Sequence, residues 1–233
     1  MPDTPTTDWT RYYEKPFITA HVTRRITAHR IAKMVLAAGG LPDSHHIIEL
    51  GGGNSSFCDY LYSPSPCQPG FPDCFYTVVD SNPRGTLLFW MKHPDSFNYP
   101  IVCADILTLD TTSIEPADLV FSVGLVEHFS EEQTKIAIRR HFELAKPGGL
   151  VLITFPVPTH TYRIIRRAAE MLGIWRFPDE RPIRLEDAVA LCAEHGDIIN
   201  ARLNRAILLT QGIVLARKPV WTDPNPAHFR SKT

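Results

Sequence analysis

The chain has 233 residues, a formal net charge of −1, 44% hydrophobic and 21% charged residues. That length suits one domain of ordinary size, or one domain with a cap. The near-neutral balance excludes the domain-wide basic charge of a bulk nucleic-acid binder, though not a local basic groove. No apolar run approaches the roughly 18 residues of a membrane span. The opening MPDTPTTDWT has neither the basic start nor the apolar core of a signal peptide. The five cysteines, Cys58, Cys67, Cys74, Cys103 and Cys192, include no C-x-x-C pair, which predicts reduced thiols in a cytoplasmic protein.

Prolines gather in blocks at 1–16, 64–72 and 219–226, which read as a lead-in, a surface insertion and a C-terminal tail. Between them the first element is a helix over 17–38, broken near His21. Its face is Ile18, Val22, Ile26, Ala32 and Val35, and Gly39-Gly40 stops it. A buried strand over 46–50 runs into the glycine turn 51–53, and a short helix over 54–62 follows. Next come a strand over 74–79, a helix over 84–93, and strands over 99–103 and 118–122. An amphipathic helix over 131–145, a turn at 146–149 and a strand over 150–155 continue the alternation. Helices over 160–172 and 185–195 precede two final strands, 198–203 and 212–216. Strands alternating with helices predict an α/β fold, a doubly wound, mostly parallel seven-stranded sheet with helices on both faces. Residues 1–40 read as an N-terminal helical cap, 41–218 as the main domain with a helical insertion after the fifth strand, and 219–233 as the tail. Such sheets bind ligands beyond the carboxyl ends of their strands.

The first strand ends in Ile47-Ile48-Glu49-Leu50-Gly51-Gly52-Gly53-Asn54. A dinucleotide fingerprint needs a third glycine at position 56, which is serine. Glu49 would repel a pyrophosphate, but not a ligand that bears an ammonium group and no phosphate.

At this point the chain resembles the class I S-adenosylmethionine-dependent methyltransferases. Glu49-Leu50-Gly51-Gly52-Gly53 looks like their motif D/E-x-G-x-G, and the resemblance continues at successive strand ends over 46–156. Val79-Asp80 resembles the acidic end of the second strand, and Cys103-Ala104-Asp105-Ile106 the acidic motif after the third. The run from Asp118 to Phe129 resembles the fourth-strand motif, and Leu144 to Ile153 the turn into the fifth strand. The resemblance implies S-adenosylmethionine as cofactor. Asp80, with Ser81 beside it, would accept the ribose hydroxyls. Asp105 would accept the adenine amino group and the Ile106 N–H would serve the ring. Glu49, Gly51, Gly53 and Asn54 would line the turn, and the carbonyl of Ser122 or Val123 would take the methionine ammonium. Taken singly, Asp80 and Asp105 also read as turn-forming or capping acids.

Methyl transfer from a sulfonium is an in-line displacement, so the protein must position the acceptor and, for a hydroxyl, remove its proton. His128 is the candidate base, with Glu127 its neighbour and His160 next in line; the pair Glu127-His128 equally suits a helix start. Some relatives of the family bind a divalent metal through E-x-x-E-H, but residue 124 is glycine, and no metal is expected. The pair His45-His46 has no partner at ligand spacing. No N/D-P-P-Y and no Pro-Cys follows the fourth strand, which excludes those two DNA-methylating chemistries; Cys67 follows Pro66 only within the proline-rich insertion.

Acceptor contacts are expected from Tyr12 and Tyr13 in the N-terminal segment and from His160 and Arg163 after the fifth strand. Aromatic and basic groups together suit a polar or anionic ring-bearing acceptor, though each also reads as a solvated face or as packing. The reading is a methyltransferase of a small molecule or saccharide, with a hydroxyl as target. The alternatives are an RNA methyltransferase, disfavoured by the charge, and a non-catalytic binding module, disfavoured by the intact acidic and glycine positions. Neither the acceptor nor the oligomeric state is legible.

Overall fold

Neighbouring apolar residues in the central strands face opposite sides of one sheet, and both sides are covered. Ile47, Leu119, Leu150 and Ile213 enter one core, while Ile48, Val120, Val151 and Val214 enter the other. Continuous apolar runs of this kind are what a sheet buried on both faces requires. The molecule, a computed structural model, describes residues 6–16, 20–62, 70–71, 74–94, 98–207 and 209–220. Its helices are α1 (Trp9–Glu14), α2 (Ala20–Ala37), α3 (Ser56–Tyr62), α4 (Pro83–Lys92), α5 (Glu131–Leu144), α6 (His160–Met171) and α7 (Leu185–Ala193). Its strands are β1 (His45–Leu50), β2 (Cys74–Asp80), β3 (Ile101–Cys103), β4 (Ala117–Val123), β5 (Ala145–Pro156), β6 (Asp197–Asn204) and β7 (Gln211–Arg217). The sheet order is β3-β2-β1-β4-β5-β7-β6; β7 is antiparallel to both neighbours and every other pair is parallel. The chain leaves β1 toward β2 on one side and returns to β4 on the other, so the switch in strand order lies beyond the carboxyl ends of β1 and β4.

Helices α2, α3 and α4 pack on one face of the sheet, α5 and α7 on the other. The face expected for α2 is corrected at its start, because Val22 is 63% exposed. Apart from Ala20 at its first position, α2 is buried only from Thr27 onward, through Ala28, Ile31, Ala32 and Val35 at i, i+3, i+4 and i+7. Before it, Arg24 reaches sideways to the Ser56 hydroxyl (2.9 Å) and lies over the Tyr12 ring. Thus α2, within the segment read as a cap, belongs partly to the sheet core. β5 begins five residues earlier than its apolar run, since Ala145 already pairs with Ala117 before a register break. The histidine pair is structural: His45 Nδ1 bonds the Pro42 carbonyl (2.8 Å) and His46 Nε2 the Thr77 hydroxyl (2.8 Å). Cys58, Cys103 and Cys192 are free thiols, and Cys67 lies outside the described residues. No helix among the described residues is long and apolar enough to cross a membrane.

The turn after β1 is held from beneath. Glu49 is buried, and its Oε2 accepts the hydroxyls of Tyr76 (2.6 Å) and Ser55. Ser55 in turn accepts the Cys58 N–H (3.0 Å), capping α3. Strand end, turn and helix start are therefore one hydrogen-bonded unit. Burial pushes the Glu49 carboxyl up to about 7, with the two hydroxyls holding it down in part. A carboxyl with a raised folded pKa binds its proton more tightly folded than unfolded. It therefore favours the fold at low pH, and its contribution falls as pH rises from the ordinary 4.5 to about 7, by about 3 kcal/mol. Urea unfolding at pH 5 and pH 8 should show the wild type losing stability relative to Glu49→Gln by that order. A difference that does not change with pH would contradict the buried carboxyl.

Candidate functional site

β2 delivers Asp80 to the open side of the glycine turn. Its carboxylate is only 6% exposed and accepts three hydrogen bonds: the Gly53 N–H (2.8 Å) and the Tyr13 hydroxyl (2.9 Å) at Oδ2, and the Asn82 N–H (2.7 Å) at Oδ1. Burial raises its pKa and the three donors oppose that shift. The Tyr13 ring fills a slot between two glycines. A Cβ on Gly53 would lie 2.2 Å from the ring and one on Gly85 2.8 Å, and Gly53 has φ of 51°. Neither position therefore tolerates a side chain while the ring is in place. Burial and the neighbouring carboxylate push the Tyr13 hydroxyl up, so it stays a donor. Asn54 donates to the Tyr13 carbonyl (3.1 Å), and Trp9 stacks on the ring at 5.9 Å between centroids. The short helix α1, capped by Asp8 on the Arg11 N–H, is in this way clasped over the turn.

The end of β4 stands level with the turn, because Leu50 pairs with Ser122. Ser122 is fully buried and its hydroxyl meets His141 Nε2 (2.9 Å). Beyond Gly124 the 3-10 turn Val126–His128 carries Glu127 and His128. Glu127 is 2% exposed, and its Oε2 has no hydrogen-bond partner among the described residues. Burial first and then the Glu180 charge push its pKa well above its ordinary value. His128 Nδ1 lies 3.1 Å from Asp179 Oδ1; burial lowers its pKa and Asp179 offsets part of that. Trp9 and Phe177 cover the imidazole, at 4.8 and 6.0 Å between ring centroids. The insertion after β5 is tied to this turn, since the Arg181 N–H donates to the Glu127 carbonyl (2.8 Å). Tyr162 donates to Glu180, whose carbonyl accepts from Arg166 (2.8 Å). A carboxylate oxygen of Glu127, one of Glu180 and a ring nitrogen of His128 lie within 4.8 Å of one another.

The structure thus brings Gly51, Gly53, Asn54, Asp80 and Tyr13 together at the turn. Glu49 lies beneath the turn rather than on its open face. Asp105 is exposed and its Oδ1 accepts the Leu107 N–H (2.9 Å), so it caps its own turn. The Ala104 N–H on the Asp80 carbonyl (3.0 Å) keeps that turn beside Asp80. Ile106 is buried, Val123 half-buried and Ser81 exposed. Tyr12 lies under Arg24, while His160 and Arg163 stand exposed at the start of α6. The sequence reading missed α1 as a helix and missed Trp9, Asp179 and Glu180 as neighbours of His128. The one available signal was the charged run Asp179-Glu180-Arg181, which follows Trp175 and Phe177 across Pro178.

Residues 48–153 match the family model described as a methyltransferase domain. Among solved structures the chain is similar to the N-methyltransferase NodS of Bradyrhizobium japonicum WM9 in complex with S-adenosylhomocysteine, at 16% identity over 94% of each chain with a TM-score of 0.59. It is also similar to the magnesium protoporphyrin IX methyltransferase of Synechocystis PCC 6803 with bound S-adenosylhomocysteine. That match has 15% identity over 90% of this chain and 92% of that one, with a TM-score of 0.67. The 1,6-didemethyltoxoflavin-N1-methyltransferase of Burkholderia thailandensis gives 17%, 91%, 86% and 0.61 in the same order. No curated protein matches by sequence. At these identities the structures speak for the fold, and the domain match with the strand-end motifs speaks for the family. Residues 48–153 thus match a methyltransferase domain, within a chain that shares its fold with these solved methyltransferases.

Proposed function

We propose that the chain transfers a methyl group from S-adenosylmethionine to a hydroxyl of a small molecule or saccharide. The carrying observation is a buried carboxylate, Asp80, that already accepts a hydroxyl at the glycine turn. A ribose hydroxyl would make the same bond, and the slot between Gly53 and Gly85 has the breadth of a ring. The neighbouring solved structures include methyltransferases named for magnesium protoporphyrin IX and for 1,6-didemethyltoxoflavin, two dissimilar small molecules, which supports a small acceptor over a nucleic acid.

On this reading Asp80 holds the ribose, Asp105 and the Ile106 N–H the adenine, and the backbone of Gly51, Gly53 and Asn54 the remainder. The carbonyl of Ser122 or Val123 takes the ammonium. Glu49 acts from beneath, as the post that fixes the turn. When bound, the donor supplies a methyl group already activated on sulfur. The part of the 1–40 segment that covers the site is α1. Tyr13 must release Asp80 before a ribose can bind, so α1 swings out and returns over the acceptor, with Tyr12 facing it. His160 and Arg163 reach the acceptor from α6. The acceptor proton is handled in the group of Glu127, His128 and Glu180, where Asp179 orients His128 as proton acceptor.

Calorimetry with S-adenosylhomocysteine tests the donor site. Asp80→Asn and Asp80→Ala should weaken binding at least about tenfold, since charge-assisted hydrogen bonds contribute about 1.5–3 kcal/mol each. Tyr13→Phe removes the competing hydroxyl and should tighten it. An unchanged dissociation constant for the Asp80 variants would sink the assignment. His128→Ala should lower turnover at least about a hundredfold and leave S-adenosylhomocysteine binding nearly intact. Retained turnover would make the residue structural.

A further inference from the structure

We propose that Glu127, His128 and Glu180 hold a divalent transition-metal ion of the Mn(II), Co(II) or Zn(II) kind, at the acceptor end of the site. Among the described residues these three offer ligand atoms within 4.8 Å of one another. A second, independent observation points the same way. Glu127 is 98% buried, and its Oε2 meets no donor. A buried carboxylate oxygen without a partner is costly, and a second carboxylate beside it makes it more so. A bound cation removes both costs at once.

The surroundings match what a ligating histidine needs. Asp179 takes His128 Nδ1 at 3.1 Å, which leaves Nε2 for the ion, and the Thr7 hydroxyl donates to the same Asp179 carboxylate. A carboxylate behind a metal-bound imidazole fixes its tautomer and orientation. Glu180 is likewise set by Tyr162 on one carboxylate oxygen and by Arg166 on its carbonyl. One imidazole and two carboxylates suit ions from Mn(II) to Zn(II) better than Mg(II) or Ca(II), which favour all-oxygen shells. Three protein ligands also leave an open position, the mark of a catalytic rather than a structural ion. Gly124 stands where a linear E-x-x-E-H pattern has its first glutamate, which is why the sequence predicts no metal. In the fold, Glu180 arrives from the insertion to serve in that capacity, held there by the Arg181 N–H on the Glu127 carbonyl.

This deepens the methyl-transfer reading, on which the ion's use rests. At the open position an acceptor hydroxyl would coordinate and lose its proton to solvent more readily. His128 is then a ligand rather than the base, and loss of turnover in His128→Ala follows on either account. Counting the ion separates them.

Metal-stripped protein should be dialysed to equilibrium against micromolar Mn(II) or Zn(II), without donor or acceptor, and the bound ion measured. One ion per chain is expected. Glu127→Gln and Glu180→Gln should each weaken its binding at least about tenfold, as removal of metal-site groups typically does. The exposed Glu186→Gln on α7 should not. No retained ion, or binding that both glutamine variants leave unchanged, overturns the proposal and makes the two carboxyls a proton-sharing pair. Should either variant fail to fold, Co(II) added to the wild type decides: visible bands of imidazole–carboxylate coordination support the site, and their absence sinks it. Calorimetry with S-adenosylhomocysteine on the metal-free protein tests the donor site, on which the methyl-transfer reading rests, separately, so failure of one is distinguishable from failure of the other.

Discussion

Four segments of the chain meet at one carboxylate. Asp80 ends β2, receives the turn after β1 through Gly53, starts α4 through Asn82 and anchors α1 through Tyr13. A carboxylate this buried is stable in the fold only because each of its oxygens is met by a donor. The donors are two backbone N–H groups and one hydroxyl. The backbone pair is fixed by the turn and the helix start, whereas the hydroxyl comes from a six-residue helix tethered only through its contacts. Of the three, the hydroxyl is the one that can be exchanged without unmaking the sheet.

The two buried glutamates show how alike residues diverge by their surroundings. Glu49 finds two hydroxyls and becomes a strut between strand and helix. Glu127, just as deep, finds none at Oε2 and faces a second carboxylate instead. The first arrangement is complete within the protein. The second is completed by something added, whether a proton or a cation, and it stands at the end of β4 beside the switch in strand order, where this class of sheet carries its chemistry.

The strands were legible because their apolar runs are continuous and bounded by glycine, proline or acid, and the parallel core needs nothing else. The carboxyl-end residues Gly51, Gly53 and Asp80 were legible because glycine and acid at those points have few other uses. What stayed hidden depended on distance along the chain. Helix α1 is six residues long, with prolines nearby, and its stability comes from Trp9 and Tyr13 docking rather than from any period of its own. Val22 fitted a helical face, yet the sheet reaches only the later half of α2. Glu180 joins Glu127 only through the path of the insertion, which no local pattern encodes. Tyr13 was visible as an aromatic near the site, but its bond to Asp80 could not be read without the fold.

The slot between Gly53 and Gly85 has a kinetic consequence. A ligand that needs Asp80 cannot approach while the Tyr13 ring lies there, so its entry waits for an opening step. At low ligand concentration the observed association rate scales with concentration times the open fraction. At high concentration it levels off at the opening rate of α1. The apparent affinity would be weaker than that of the open form by the fraction of time the ring is away. Any change that loosens Trp9 from Tyr13 or Asn54 from the Tyr13 carbonyl therefore tunes occupancy without touching a single group that contacts the ligand.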